Sequence, residues 1–259
     1  PDATIIKDET EIIEEAEYQT DYLIEQENFC KVGGVEYNSL QKAIDAIETE
    51  GTIEFIASSV SKSSVTIPIN KNVTIDLAGY TYTTSQKIIN NGNLLLKDTS
   101  EDENGKITEI GNANLIENAG TLKIESGSYI NDTTSNYVIV VATAGEVEIN
   151  GGRIESQAGG INVANSTTAK LTINEVIMET ASTAITNNGV TEINGGEITS
   201  TSSNYYGIVA GGTFTMNGGR LNTPNSSGID NGTATTINGG EITSKNYAIR
   251  VGGHTSQNL

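Results

Sequence analysis

Along most of the chain, apolar and polar positions alternate in runs of four or five residues, and Gly, Asn and Ser break the runs at regular intervals. A period of two is that of a half-buried strand, apolar on one side and wetted on the other. Helix is excluded over this region, because Gly and Asn recur where a helix interior would have to run. The alternation itself repeats. Thr236-Ile237-Asn238-Gly239-Gly240-Glu241-Ile242 echoes Thr215-Met216-Asn217-Gly218-Gly219-Arg220-Leu221, Glu192-Ile193-Asn194-Gly195-Gly196-Glu197-Ile198 and Glu148-Ile149-Asn150-Gly151-Gly152-Arg153-Ile154. Thr172-Ile173-Asn174 is a copy without the glycines, and Lys123-Ile124-Glu125-Ser126-Gly127 is an earlier one. The anchor positions 124, 149, 173, 193, 216 and 237 lie 25, 24, 20, 23 and 21 residues apart. A second apolar stretch precedes each anchor, as in Ile88-Ile89-Asn90-Asn91-Gly92 and Ala184-Ile185-Thr186-Asn187, and a third follows each Gly-Gly, as in Glu197-Ile198-Thr199-Ser200.

One such repeat cannot bury its own apolar face, but coils stacked about 4.8 Å apart share a thin, continuous core. Three short strands and a loop of variable length account for the period, with Gly-Gly and Asn-Gly supplying the sharp bends. The expected fold is all-β: a right-handed, single-stranded parallel β-helix of about nine coils, a solenoid. Asn150, Asn174, Asn194, Asn217 and Asn238 then share one position in successive coils. A row of amides could bind a ligand, but a stacked ladder that satisfies neighbouring polar groups is the reading preferred. The front end breaks the pattern. Asn38 to Ile47 reads as an amphipathic helix with Leu40, Ala43, Ile44 and Ile47 on its apolar face and a capping signal at Asn38 or Ser39. A helix there would cover the sheet edge that the end of a β-helix exposes. The organisation expected is an acidic lead-in over 1–29, a cap with its helix over 30–51, and the solenoid over 52–259, truncated at its C-terminal end.

Composition agrees with a narrow core. Trp is absent, aromatics make up 5% and there are 28 glycines, so a wide globular core would be hard to fill. The formal charge of −19, from 33 acidic and 14 basic residues, argues against nucleic acid and anionic membrane surfaces as partners. The lead-in holds ten acids against the single Lys7, the composition of a solvated tether. Cys30 is the only cysteine, so no intrachain disulfide can form. The longest apolar run, Val138 to Ala142, falls far short of the roughly 18–20 residues that cross a bilayer. With no signal-peptide pattern at Pro1 and an end in mid-repeat at Leu259, the chain reads as a segment of a longer protein.

Val32-Gly33-Gly34-Val35-Glu36-Tyr37, Ala43-Ile44, Gly51-Thr52-Ile53 and the following Ile-Asn-Gly-Gly-x-Ile coils together resemble the pectate-lyase-like β-helix regions of Gram-positive surface proteins, over roughly residues 30–259. That resemblance implies an extracellular, secreted or wall-associated module. Its relatives include polysaccharide lyases, polygalacturonases, phage tailspikes and non-catalytic adhesin-like domains, so the fold leaves function open.

The galacturonan hydrolases of that superfamily carry Asn-Thr-Asp, Asp-Asp, Gly-His-Gly and Arg-Ile-Lys clusters, and the sequence has none of them. The only histidine, His254, sits in a Gly-Gly-His-Thr stretch that reads as a turn. Glu148 and Glu192 are equivalent positions two coils apart, about 9.6 Å by the strand spacing, at the upper edge for an inverting carboxylate pair. Thr172 lies between them, and surface charge is the simpler account. No catalytic residue is assigned. Glu197, Arg220 and Glu241 follow Gly-Gly in three consecutive coils, which places Arg220 between two carboxylates as an ion-pair ladder or part of a polar binding face. Tyr137, Tyr206 and Tyr247 each precede an apolar strand and form the best candidate row for glycan contact, although loop tyrosines can equally pack over the coil edge. The loop holding Asp98, Glu101, Asp102 and Glu103 is the densest acidic run outside the lead-in and could take calcium, although a solvated loop is the preferred reading. No other cofactor is expected. The expectation is thus a monomeric, non-catalytic stalk or adhesin-like binding module, its partner a host or environmental glycan or a surface protein. The competing expectations are a polysaccharide-active enzyme, lyase or glycoside hydrolase, and a trimeric tailspike fragment.

Overall fold

The structure is a computed structural model that describes residues 27–232 and 234–251. It is a parallel β-solenoid of about nine turns, with one short helix. Each turn contributes one strand to each of three sheets. Sheet A runs from Glu50–Phe55 through Asn72–Asp76, Asn93–Lys97, Thr121–Ile124, Glu146–Ile149, Lys170–Ile173, Val190–Ile193 and Thr213–Met216 to Thr235–Ile237. Sheet B runs from Ser59–Ser61 to Glu241–Ser244, and sheet C from Val65–Ile67 to Ile249–Val251.

The inward positions of the alternating strands stack on their counterparts one turn away. In sheet A, Ile75, Leu96, Ile124, Ile149, Ile173, Ile193 and Met216 form a single column, each at most 1% exposed. Full burial of such a side chain contributes about 1.5–3 kcal/mol. Parallel columns run through Ile107, Tyr129, Ile154, Met178 and Ile198 in sheet B, and through Ile88, Ile116, Ile139, Ile161, Ile185, Ile208 and Ile229 in sheet C. The core is therefore three ridges of isoleucine-sized side chains meeting along one axis.

Polar side chains turn the corners. Between sheets A and B, Asn238 donates to Asn217, Asn217 to Asn194, Asn194 to Asn174 and Asn174 to Asn150, each at 2.8 Å. Asn150 ends the ladder on the Glu125 carboxylate at 3.1 Å. The two glycines that follow have separate reasons to be glycine. A Cβ on Gly151 would lie 2.5 Å from the Glu125 carbonyl of the preceding turn, whereas Gly152 sits at φ +86, where L side chains are strained. At the end of sheet B a second column faces inward: Thr84, Glu109, Asn131, Ser156, Thr180 and Ser200, each at most 6% exposed. Four of these, Thr84, Glu109, Asn131 and Ser156, accept the backbone N–H two residues on, a local bond that bends the chain toward sheet C.

The first turn is sealed. Helix α1, Leu40–Ala46, buries Leu40, Ala43 and Ile44, and Ser39 caps it by accepting the Lys42 N–H at 3.4 Å. It is shorter than the sequence predicts, since Asn38 and Ile47 lie outside it. Gln41 treats the sheet C edge as a strand would, accepting from the Thr66 N–H at 2.7 Å and donating to its carbonyl at 3.2 Å. Lys71 Nζ donates to the Ile44 and Asp45 carbonyls at the helix end. Cys30–Val32 and Val35–Tyr37 form an antiparallel pair that closes the edge of sheet A. The lead-in expected over 1–29 is too long by at least one residue. Phe29 is 3% exposed and packs on Phe55 and Tyr82 with ring centroids 5.6 and 5.9 Å away. The first coil also opens earlier than expected, at Glu50 instead of Thr52. Residues 1–26 of the acidic segment lie outside the described residues.

Candidate binding surface

Strand register across sheet B decides which outward side chains are neighbours. Glu197, Arg220 and Glu241 are aligned in three consecutive strands, as the repeat predicts. Arg220 Nη2 pairs with Glu241 Oε2 at 3.1 Å, and Glu197 makes no ion pair among the described residues. The ladder is therefore one-sided. Two residues along, Thr199, Asn222 and Thr243 form an adjoining polar row. The two rows line an open groove of about 320 Å³.

The segments leading from sheet B into sheet C carry the tyrosines. Tyr206 lies two residues before Ile208, Tyr247 two before Ile249 and Tyr137 two before Ile139, so all three occupy one edge. They do not form the continuous row that the sequence suggests. Ser227 stands between Tyr206 and Tyr247, and Gly159 and Thr183 stand between Tyr137 and Tyr206. Tyr137 is half-buried and lies flat against its neighbour: a Cβ on Gly159 would come within 2.6 Å of two of its ring carbons. Its ring thus packs on the neighbouring turn. Tyr206 is tied down differently. The Arg250 guanidinium reaches across the intervening turn, donates to the Tyr206 hydroxyl and lies 5.8 Å from its ring centroid. This bond, with the negative charge of Asp230 nearby, holds the Arg250 pKa above its ordinary value. Tyr205 and Tyr247 stay open, at 60% and 65% exposure.

The structure thus gathers Glu197, Arg220, Glu241, Tyr206 and Tyr247 on the last three described turns. The ion-pair row lies at the start of the sheet B strands, and the tyrosines lie on the segments that lead from the ends of those strands into sheet C. Sequence reasoning missed Tyr205 and Arg250. The Tyr205-Tyr206 doublet was visible, but nothing local distinguishes the exposed ring from the tethered one, and Arg250 reaches its partner 44 residues away.

The remaining candidates are engaged elsewhere. Glu148 pairs with Lys123 at 3.4 Å, and Glu192 accepts from Asn217 at 2.8 Å. Arg153 holds both Glu155 and Glu179, and the Glu155 bond first among these raises its pKa. Asp98 is buried, and its two oxygens accept from the Gly79, Ser100 and Gly105 N–H groups and the Ser100 hydroxyl. It organises its own loop, from which Glu101, Asp102 and Glu103 point outward. No group of three or more His, Cys, Asp or Glu side chains that could hold a metal ion occurs among the described residues. A broader groove of about 550 Å³ lies on sheet A near the cap, lined by Glu50, Thr52, Asn72, Thr74, Leu95 and Lys123. Within it Asn93 donates to Asn72 at 2.6 Å, and Lys123 pairs with Glu125 and Glu148 outside it. His254 lies outside the described residues.

The fold defines the class, a parallel β-solenoid. No protein-family model matches the chain, and neither a curated protein nor a solved structure is significantly similar to it.

Proposed function

We propose that the chain is a non-catalytic β-helix module of a bacterial surface protein, of the pectate-lyase-like kind, secreted or wall-associated, that serves as a stalk and binds glycan in the manner of an adhesin. The observation that carries this reading is the surface of the last described turns of a regular rod, which bears an open polar groove on sheet B and exposed tyrosines on the segments leading from sheet B into sheet C. Aromatic rings offer an apolar platform to the C–H face of a sugar, and hydroxyl, amide and carboxylate groups beside them can bond its hydroxyls. Four outward carboxylates of the stacked strands, Glu148, Glu192, Glu155 and Glu179, are held in ion pairs or amide hydrogen bonds.

Size-exclusion chromatography with light scattering, on the protein incubated with polysaccharides and mucins, tests it. Intact glycan co-eluting with a monomeric protein is the expected result. Shortened glycan chains would favour a lyase or glycoside hydrolase instead, a trimer would favour a tailspike fragment, and intact chains without co-elution would leave a stalk or a protein ligand.

A further inference from the structure

We propose that Asn238-Gly239 is a site of covalent modification, where the asparagine converts spontaneously to aspartate and isoaspartate, and that the amide ladder protects its inner rungs from the same reaction. The proposal is independent of glycan binding. Glycine has no side chain to screen its amide nitrogen, so in Asn-Gly that nitrogen most readily reaches the preceding side chain. The Gly239 nitrogen bonds to Asn238 Cγ, and the Cγ–Nδ2 bond breaks. The Gly239 amide proton passes through solvent to the leaving ammonia, and a cyclic imide remains. Water then opens the imide at one carbonyl or the other, giving aspartate or isoaspartate. Water is the only co-reactant.

Two requirements rank the Asn-Gly pairs of the chain: a carboxamide free to turn and a glycine N–H free to be lost. Asn91, Asn104 and Asn188 are exposed, but the glycine after each is buried and its N–H is held by a side chain. Gly92 donates to Asn90 Oδ1 at 3.2 Å, Gly105 to Asp98 Oδ2 at 2.6 Å and Gly189 to Asn187 Oδ1 at 3.1 Å. Asn231 accepts from the Thr235 hydroxyl, and the Gly232 N–H donates to the Ala210 carbonyl at 2.9 Å. The other pairs belong to the ladder. There the glycine N–H is loosely held, at 3.4 Å for Gly218 and 3.3 Å for Gly239, so the carboxamide decides. Asn217 donates to both Asn194 and Glu192 and accepts from Asn238. Asn194 and Asn150 each donate once and accept once. Asn238 is exposed, and among the described residues its carboxamide makes only the donation to Asn217. The product then acts on the next rung. A carboxylate at position 238 has no proton to donate and sets its oxygens against Asn217 Oδ1, so Asn217 loses one of its restraints.

Peptide mapping by mass spectrometry, on the full chain held folded in warm, mildly alkaline buffer and on the same chain in urea, tests the proposal. In the folded protein, aspartate and isoaspartate should accumulate first at position 238. The rate there should exceed that at Asn194 or Asn150 about two- to tenfold, the weight of one hydrogen bond fewer to break. In urea the ladder positions should convert at similar rates. Equal rates at 238 and 194 in the folded protein would overturn the protection by the ladder. Earlier conversion at Asn91, Asn104 or Asn188 would overturn the ranking, and conversion at 238 in urea alone would overturn the site. Asn238→Asp, at an exposed position where unchanged circular dichroism will show that it folds, should speed conversion at Asn217 and leave Asn150 unaffected. An unchanged rate at Asn217 would overturn the passage from rung to rung.

Discussion

The octapeptide Ile-Asn-Gly-Gly-Glu-Ile-Thr-Ser occurs twice, at 193–200 and at 237–244, with the same strands and the same Gly-Gly corner. In the first copy Ile193 is 1% and Ile198 is 2% exposed. In the second, Ile237 is 38% exposed and Ile242 only half-buried. Local sequence and local conformation are shared, so the difference belongs entirely to the neighbours. The first copy is roofed by Met216 and Leu221 of the next turn, whereas the described residues place no turn over the second. The opposite end shows what a roof can be when it is not another coil. There the helix, the antiparallel pair and the Phe29–Phe55–Tyr82 cluster close the interior. In a one-dimensional architecture, stability resides in the interfaces between units more than in the units.

The contrast can be broken most sharply at its centre. Ile193→Asp puts a carboxylate in the middle of the core column and should cost several kcal/mol, enough to abolish cooperative melting of the turns around it. Ile237→Asp, in identical local sequence, should lower the melting temperature little. Equal effects in thermal denaturation followed by circular dichroism would mean that the local motif, not its stacking, sets stability. The amide ladder offers a gentler version. Asn194 both donates to Asn174 and accepts from Asn217, while Asn238 only donates. Asn194→Ala should cost about 1–2 kcal/mol and Asn238→Ala about half of that, since each net hydrogen bond contributes about 0.5–1.5 kcal/mol. Urea titrations at equal protein concentration will read the ratio.

What could be read in the sequence follows the same logic. The coils, the Gly-Gly corners and the asparagine ladder were legible because one residue type recurs at one spacing, from Asn150 to Asn238. The helix was legible from its own periodicity over 38–47. The inner column was not, because Thr84, Glu109, Asn131 and Ser156 do the same work with different chemistry and no repeated letter marks them. The candidate surface was half legible. The order of Glu197, Arg220 and Glu241 follows from counting coils, but the tyrosine edge depends on segments whose lengths vary, and neither the tethering of Tyr206 nor the packing of Tyr137 on Gly159 is a local property. Phe29 was misplaced for a related reason: its partners Phe55 and Tyr82 are supplied by later turns.

Glu109 gives the finest test, because it places an ionisable group where neighbouring turns keep neutral ones. It is fully buried in the column between Thr84 and Asn131, with Oε1 accepting the Gly111 N–H at 2.8 Å and Oε2 without a hydrogen-bond partner. Burial raises its pKa above the ordinary 4.5, and the Gly111 and Ala113 N–H groups offset only part of that. A folded-state pKa above the unfolded one means that the folded protein holds this proton more tightly. Its contribution is present in full below about pH 4.5 and is lost as pH rises through the folded value. Glu109→Gln keeps the acceptor for Gly111 and removes the ionisation, so it should raise the melting temperature at pH 7 and leave it nearly unchanged at pH 4. In the last described turn, Ser244 occupies the matching position beside Thr223 and is only half-buried. Ser244→Glu should therefore add no comparable pH dependence. A variant pair that responded equally would show that the corner itself, not its enclosure by neighbouring turns, governs the cost of a charge there.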